Sequence, residues 1–371
     1  MTSRLFTPLE IGPVTMANRI MIAPMCQYSA IEGSASSWHT VHLGSLALSG
    51  SGLLCLEATG VSAEGRITHG CLGLYSDQNE AALAQVLAHL RAVSPIRLAI
   101  QLSHAGRKSS SRAPWEGGTL ISPEDGGWLP LAPSAVAQRD GEAPPRAMTA
   151  QDITKLVDDF ARSAARARRL GFDAVELHMA HGYLLHQFLS PLANQREDEY
   201  GGSLENRMRL PLRVFDAVQQ ACGPDMAVGI RLSAKDWVEG GWDVEQSIVL
   251  CRELDRRGCH FFDISSGGVS PAQQIPVGPG YQVHLAEAIK REVKAPVIAV
   301  GLITEAAQAE AIVADGRADA IAMARGMLLD PRWPWRAALE LGGTVTAPKQ
   351  YWRSLPAGTS KVFGDIRSAQ R

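Results

Sequence analysis

TAQDITKLVDDFARSAARARRLGFDAVELH, residues 149–178, contains one helix and the strand that follows it. Thr149 and Asp152 stand at capping-box spacing, and Ile153, Leu156, Val157, Phe160, Ala164 and Ala167 recur three or four apart, giving the helix one apolar stripe. Gly171 then offers a residue that takes positive φ cheaply where a helix ends. Ala174–His178 is one of the chain's short runs, most of them near-continuously apolar, as parallel strands covered on two sides should be.

Working outward, the same unit recurs along the chain. Apolar runs stand at Ile20–Pro24, Leu53–Ala58, Arg97–Leu102, Ala174–His178, Ala227–Leu232, Phe261–Ser265, Val297–Val300 and Ala318–Ala324. Helix patterns follow over 39–49, 78–92, 150–170, 204–221, 244–257, 283–293, 304–314 and 334–341. Eight strand–helix units predict an α/β fold, a (β/α)8 TIM barrel, with residues 1–371 as a single domain. A doubly wound sheet is disfavoured because no GxGxxG occurs, and GRKS at Gly106–Ser109 lacks the upstream glycine of a phosphate loop.

Three segments lie outside the rhythm. LFTPLEIGPVTMAN alternates weakly around Gly12-Pro13 and is expected to form a hairpin under the barrel floor. The excursion 103–148 leaves the third strand, and between Arg112 and Arg146 it holds six prolines and five glycines, so it should lie over the C-terminal mouth. The tail 342–371 is irregular yet carries Tyr351-Trp352-Arg353, and aromatic residues near a terminus should dock on something.

Composition narrows the partners. Lys+Arg 36 against Asp+Glu 38 gives a net charge of −2, and no basic block occurs, which argues against nucleic acid or a membrane surface held by bulk charge. The first residues lack the pattern of a secretory signal and no long apolar stretch occurs, so the expected location is cytoplasmic. The six cysteines include no CxxC pair and are read as free, mostly buried thiols.

In such a barrel the strand C-termini converge on one mouth, and HMAHGY leaves the fourth strand there. His178 and His181 have no neighbouring carboxylate or third histidine to complete a metal site, so no metal is expected. As hydrogen-bond donors the pair would hold one oxyanion, while Tyr183 would supply a proton to a strongly basic carbon; the alternative is a satisfied structural pair.

PMCQYSA at 24–30, EATGVSAEGR at 57–66, IQLSHAGRK at 100–108, the block from Glu176 to Val214, VGIRLS at 228–233, ISSGG at 264–268 and PKQYWR at 348–353 together resemble the Old Yellow Enzyme family of FMN-dependent ene reductases. Cys26 followed by Tyr28 is similar to the bacterial branch that includes xenobiotic reductases. The resemblance implies FMN as cofactor, NADPH as hydride donor and small activated alkenes as substrates. It implies that Pro24, Met25, Cys26 and Ala58 line the flavin, that Gln101 meets its pyrimidine edge, and that Arg231 faces N1 and O2, where the reduced flavin is negative. Gly301, Ala324 and Arg325 would take the phosphate.

The same resemblance makes His178 and His181 the carbonyl or nitro ligands, Tyr183 the proton donor, and Cys26 a thiol that tunes flavin and substrate. Tyr28 would contact substrate, and so would Arg353, reaching the neighbouring subunit's mouth across a homodimer's two-fold axis. Two departures stand out: Leu302 occupies a position where some relatives carry tryptophan, and Ala324 replaces a common glycine, tolerable only if the backbone there avoids positive φ. Two other readings are an FMN barrel that oxidises 2-hydroxy acids and a flavin-binding barrel without turnover.

Overall fold

The computed structural model describes residues 3–356 and 358–364, so the last part of the tail and position 357 lie outside the described residues. β1 (Leu9–Ile11) and β2 (Val14–Met16) form the expected antiparallel hairpin, turned at Gly12 with φ 59°. A parallel closed barrel then runs in chain order through β3 (Ile20–Ile22), β4 (Leu53–Gly60), β5 (Arg97–Ser103), β8 (Ala174–Met179), β9 (Ala227–Ser233), β10 (Phe262–Ser265), β11 (Val297–Ala299) and β12 (Ala320–Met323). Two short strands of the excursion, β6 (Leu131–Ala132) and β7 (Arg146–Ala147), pair only with each other.

Each apolar run matches one barrel strand to within two residues at either end. The first overshoots because Ile22 is the last residue in the ladder and Pro24 has no N–H to donate to it. The helices are α1 (Ser37–Ala47), α2 (Asp77–Val93), α3 (Ala150–Arg169), α5 (Leu204–Cys222), α6 (Val244–Arg256), α7 (Val283–Lys290), α8 (Ala306–Ala314) and α10 (Trp333–Leu341). Two more, α4 (Leu184–Leu189) and α9 (Arg325–Leu329), sit on mouth loops and are too short to show a periodic stripe in sequence. α3 starts as its sequence dictates, with Thr149 Oγ1 accepting the Asp152 N–H at 3.2 Å and Asp152 Oδ2 accepting the Thr149 N–H at 2.8 Å.

Alternation along the strands divides the core in two. Val175, Leu177, Val228, Ile230, Phe262 and Ile264 face outward into the layer shared with the helices. Ala99, Ala174, Ala227 and Ala320 face inward at the floor, where their small size leaves room for Leu9, Ile11, Val14 and Met16 of the hairpin to plug the barrel. Inward positions then climb in steps of two from that floor, through Gln101, Glu176 and Asp263, to His178, Arg231 and Ser265.

The excursion is tied down by single turns and a bridge between Ser111 and Leu120, with the Trp115 ring 5.4 Å from that of Tyr28. The tail docks on its own barrel: Trp335 meets Tyr351 at 5.7 Å and Phe363 at 5.0 Å, and Trp352 donates to the Ala347 carbonyl at 3.1 Å. Among the described residues no helix is long and apolar enough to cross a membrane.

Candidate active site

The loop after β8 brings the two histidines and the tyrosine together. His181 takes a left-handed φ of 56°, and the next residue, Gly182, lies so close to β10's loop that a Cβ would stand 2.2 Å from the Gly268 carbonyl oxygen. His178 Nε2 and His181 Nδ1 face each other at 3.4 Å, and the Tyr183 ring sits edge-on to His178 at 4.8 Å. Their tautomers follow from the other ring atoms. The Ala180 N–H donates to His178 Nδ1 at 3.2 Å, which puts the His178 proton on Nε2. Ser265 Oγ lies 2.8 Å from His181 Nε2 and 3.4 Å from Gln282 Oε1; when its hydroxyl donates to the imidazole, the His181 proton is on Nδ1. In that tautomer two N–H groups converge on one point, which asks for an acceptor between them. Burial and the nearby Arg231 charge hold both imidazoles well below their usual pKa, so both are neutral. Burial raises Tyr183 well above its usual value, so its proton stays on.

Beneath this pair lies a buried polar layer. Gln101 Nε2 donates to Glu176 Oε1 at 2.7 Å, and Arg231 Nε approaches Asp263 Oδ2 at 3.2 Å. Arg231 Nε, Glu176 Oε2 and both Asp263 oxygens are buried without a hydrogen bond among the described residues. A buried guanidinium with no hydrogen bond among the described residues, beside Gln101 whose amide is spent on Glu176, suits the polar edge of a flavin.

The walls come from other strands. Pro24, Met25, Cys26 and Tyr28 follow β3 half-buried, while Ala58 is buried in β4 just past a bulge. Glu57 holds this loop, accepting the Gln27 N–H at 3.1 Å and pairing with His39 Nε2 at 3.2 Å. Burial, then the neighbouring Cys71, raises the Cys26 thiol well above its usual value, so it is a neutral thiol and not a thiolate. Gly301 ends β11's loop at φ 130°. Ala324 sits at φ −107°, outside the positive-φ region that would require glycine, and Arg325 is exposed with no side-chain partner among the described residues. Leu302 is half-buried at φ 49°.

Several supporting residues were not singled out by the sequence reading. Ser265, Glu176, Asp263, Glu57 and His39 each act through contacts with another strand or helix. His104 and Lys108 shape the mouth. His104 Nδ1 accepts the Gly106 N–H at 3.0 Å, and Lys108 Nζ donates to the carbonyls of His181, at 2.8 Å, and Gly268. Arg353, by contrast, is exposed on the docked tail and belongs to no cluster with the mouth residues of its own chain. Among the described residues no group of three or more His, Cys, Asp or Glu could hold a metal ion.

Residues 4–342 match the model of the NADH:flavin oxidoreductase / NADH oxidase family. An NADPH dehydrogenase of Geobacillus sp. (strain WCH70) is 42% identical over 355 residues, covering 95% of this chain and 99% of that protein. The NADPH dehydrogenase of Bacillus subtilis (strain 168) is 40% identical with the same coverage. Among solved structures, morphinone reductase superposes with a TM-score of 0.78 at 32% identity, over 94% of this chain and 92% of that one. With that match across nearly its whole length, the chain belongs to the Old Yellow Enzyme family and is an FMN-dependent NADPH dehydrogenase.

Proposed function

We propose that this enzyme reduces C=C bonds conjugated to a carbonyl or nitro group. The observation that carries the reading is the pair of ring nitrogens of His178 and His181 that face each other 3.4 Å apart, with Tyr183 packed against His178. Pro24, Met25, Cys26, Ala58, Gln101, Arg231, Gly301, Ala324 and Arg325 would hold FMN. Bound FMN supplies hydride, taken from NADPH and delivered to the alkene β-carbon. His178 and His181 grip the substrate oxygen and stabilise the negative charge that grows on it, a contribution of about 2–4 kcal/mol per donor in a dry site. Tyr183 gives its proton to the α-carbon. A tyrosine kept protonated by burial holds that proton until a strongly basic carbon forms beside it. Tyr28 and the neutral Cys26 thiol shape the space where the alkene lies.

The test uses the FMN-loaded enzyme without oxygen. NADPH should bleach the yellow colour and 2-cyclohexenone should restore it. Tyr183→Phe should leave bleaching intact and slow the return by at least ~10²-fold, in the range of a lost general acid. Equal slowing of both steps would remove the proton-donor role.

A further inference from the structure

A cavity of about 390 Å³ opens above Tyr183 and Tyr28, roofed by the excursion. Its lining includes Arg107, Lys108, Arg112 and Arg139 against the single acid Glu142. The whole chain carries −2, so this local surplus of cations does not follow from composition.

The four cations are not equivalent. Arg107 is spent inside the protein, on Gln138 Oε1 at 2.9 Å and on the carbonyls of Val136, Ala137 and Val269. Lys108 is likewise committed to two carbonyls. Arg112 differs: its side chain makes no hydrogen bond or ion pair among the described residues, yet its backbone is fixed, with its N–H on the Thr119 carbonyl at 2.8 Å beside the Ser111–Leu120 bridge. Arg139 makes only long contacts, 3.4 Å to the Gly118 carbonyl and 3.9 Å to Glu142. Two guanidiniums with free donors therefore stand at the outer end of a cavity whose inner end is the tyrosine. Such forks suit planar or tetrahedral oxyanions and are weakly matched to neutral ligands.

We propose that Arg112 and Arg139 form an anion subsite, which selects molecules bearing a carboxylate or phosphate at the end remote from the reacting atoms. The proposal rests on the reading of Tyr183 and the histidine pair as the inner, reacting end. The anion has two sources, the alkene itself or the phosphate that distinguishes NADPH from NADH, since both must enter through this mouth.

Flavin absorbance changes on titrating the FMN-loaded enzyme with phenol, 4-hydroxybenzoate and 3-(4-hydroxyphenyl)propionate move a carboxylate outward from a constant phenol. A carboxylated member should bind about tenfold more tightly than phenol at low salt, the gain should fade as KCl is added, and Arg112→Gln with Arg139→Gln should abolish it while leaving phenol unchanged. Anaerobic bleaching by NADPH and by NADH is measured on the same proteins. If the double variant loses only a preference for NADPH over NADH, the subsite is real and the dinucleotide is its source. If neither the carboxylate gain nor the dinucleotide preference depends on the two arginines, the subsite is overturned. Failure of phenol to perturb the flavin at all would strike the histidine-pair reading instead, with the dinucleotide comparison still deciding the subsite.

Discussion

Three charged side chains share the barrel interior below the mouth, and their charges do not balance: Arg231 is one cation against the carboxyls of Glu176 and Asp263. A dry interior removes the surplus negative charge by keeping a proton. Asp263 lies against the guanidinium, whereas Glu176 meets the neutral amide of Gln101, so the proton belongs to Glu176, which burial and then the Asp263 charge push up to about 8. In the unfolded chain the same carboxyl ionises near the ordinary value of about 4.3. Its stabilising contribution is complete below that value and is lost as pH rises toward about 8, because the unfolded chain sheds a proton that the native one keeps. Urea unfolding of the FMN-free protein should lose on the order of a few kcal/mol between about pH 5 and pH 8 through this group, and Glu176→Gln should flatten that component. Parallel pH profiles for the two proteins would place the proton on another side chain.

At the level of elements, the placement of Tyr183 depends on how closely the loops after β8 and β10 approach. Gly182 combines a φ of 71° with a backbone oxygen 2.2 Å from where a Cβ would be, while Gly240 has nearly the same φ, 72°, and nothing within 4 Å. Alanine at either position is strained by about 1–2 kcal/mol from the left-handed backbone alone. Gly182→Ala must also push the two loops apart, and Tyr183, the residue that precedes α4, moves with them. It should therefore be less stable than Gly240→Ala in thermal unfolding and should slow alkene reduction, whereas Gly240→Ala keeps wild-type turnover. Matching stability and turnover in the two variants would show that the close approach positions nothing.

For the whole molecule, the tail poses the question of how many chains complete one site. Tyr351 packs on Trp335 and under the Arg332 guanidinium, 5.5 Å from its ring, so the aromatic residues serve their own barrel. Arg353, three residues before the end of that docked stretch of sequence at Pro356, is exposed and left over. We propose that it reaches the mouth of a second copy, so that each site of a homodimer is finished in trans. Arg353→Ala should leave thermal stability within about 0.5 kcal/mol of wild type, as at an exposed position, while raising the Michaelis constant for the alkene. Ending the chain before Gln350 should also weaken the dimer; unchanged kinetics and subunit count in both variants would confine the tail to packing.

Local periodicity made most of the barrel legible. The stripe and capping box of α3, and apolar runs long enough for one strand each, depend on neighbours three or four residues away or closer. His178, His181 and Tyr183 were legible for the same reason, since they leave one strand end together and chemistry can be read from their order. The sequence by itself thus determined which element ends carry reactive groups. Only the closed barrel decided how those groups are held. Ser265 lies 84 residues from the His181 ring it orients, and Glu176 and Asp263 become an unbalanced pair only when the register sets Gln101 beside Glu176 and Arg231 beside Asp263. That register follows from packing the inward side chains around a closed circle of strands, a constraint on all eight at once that no single stretch of sequence contains.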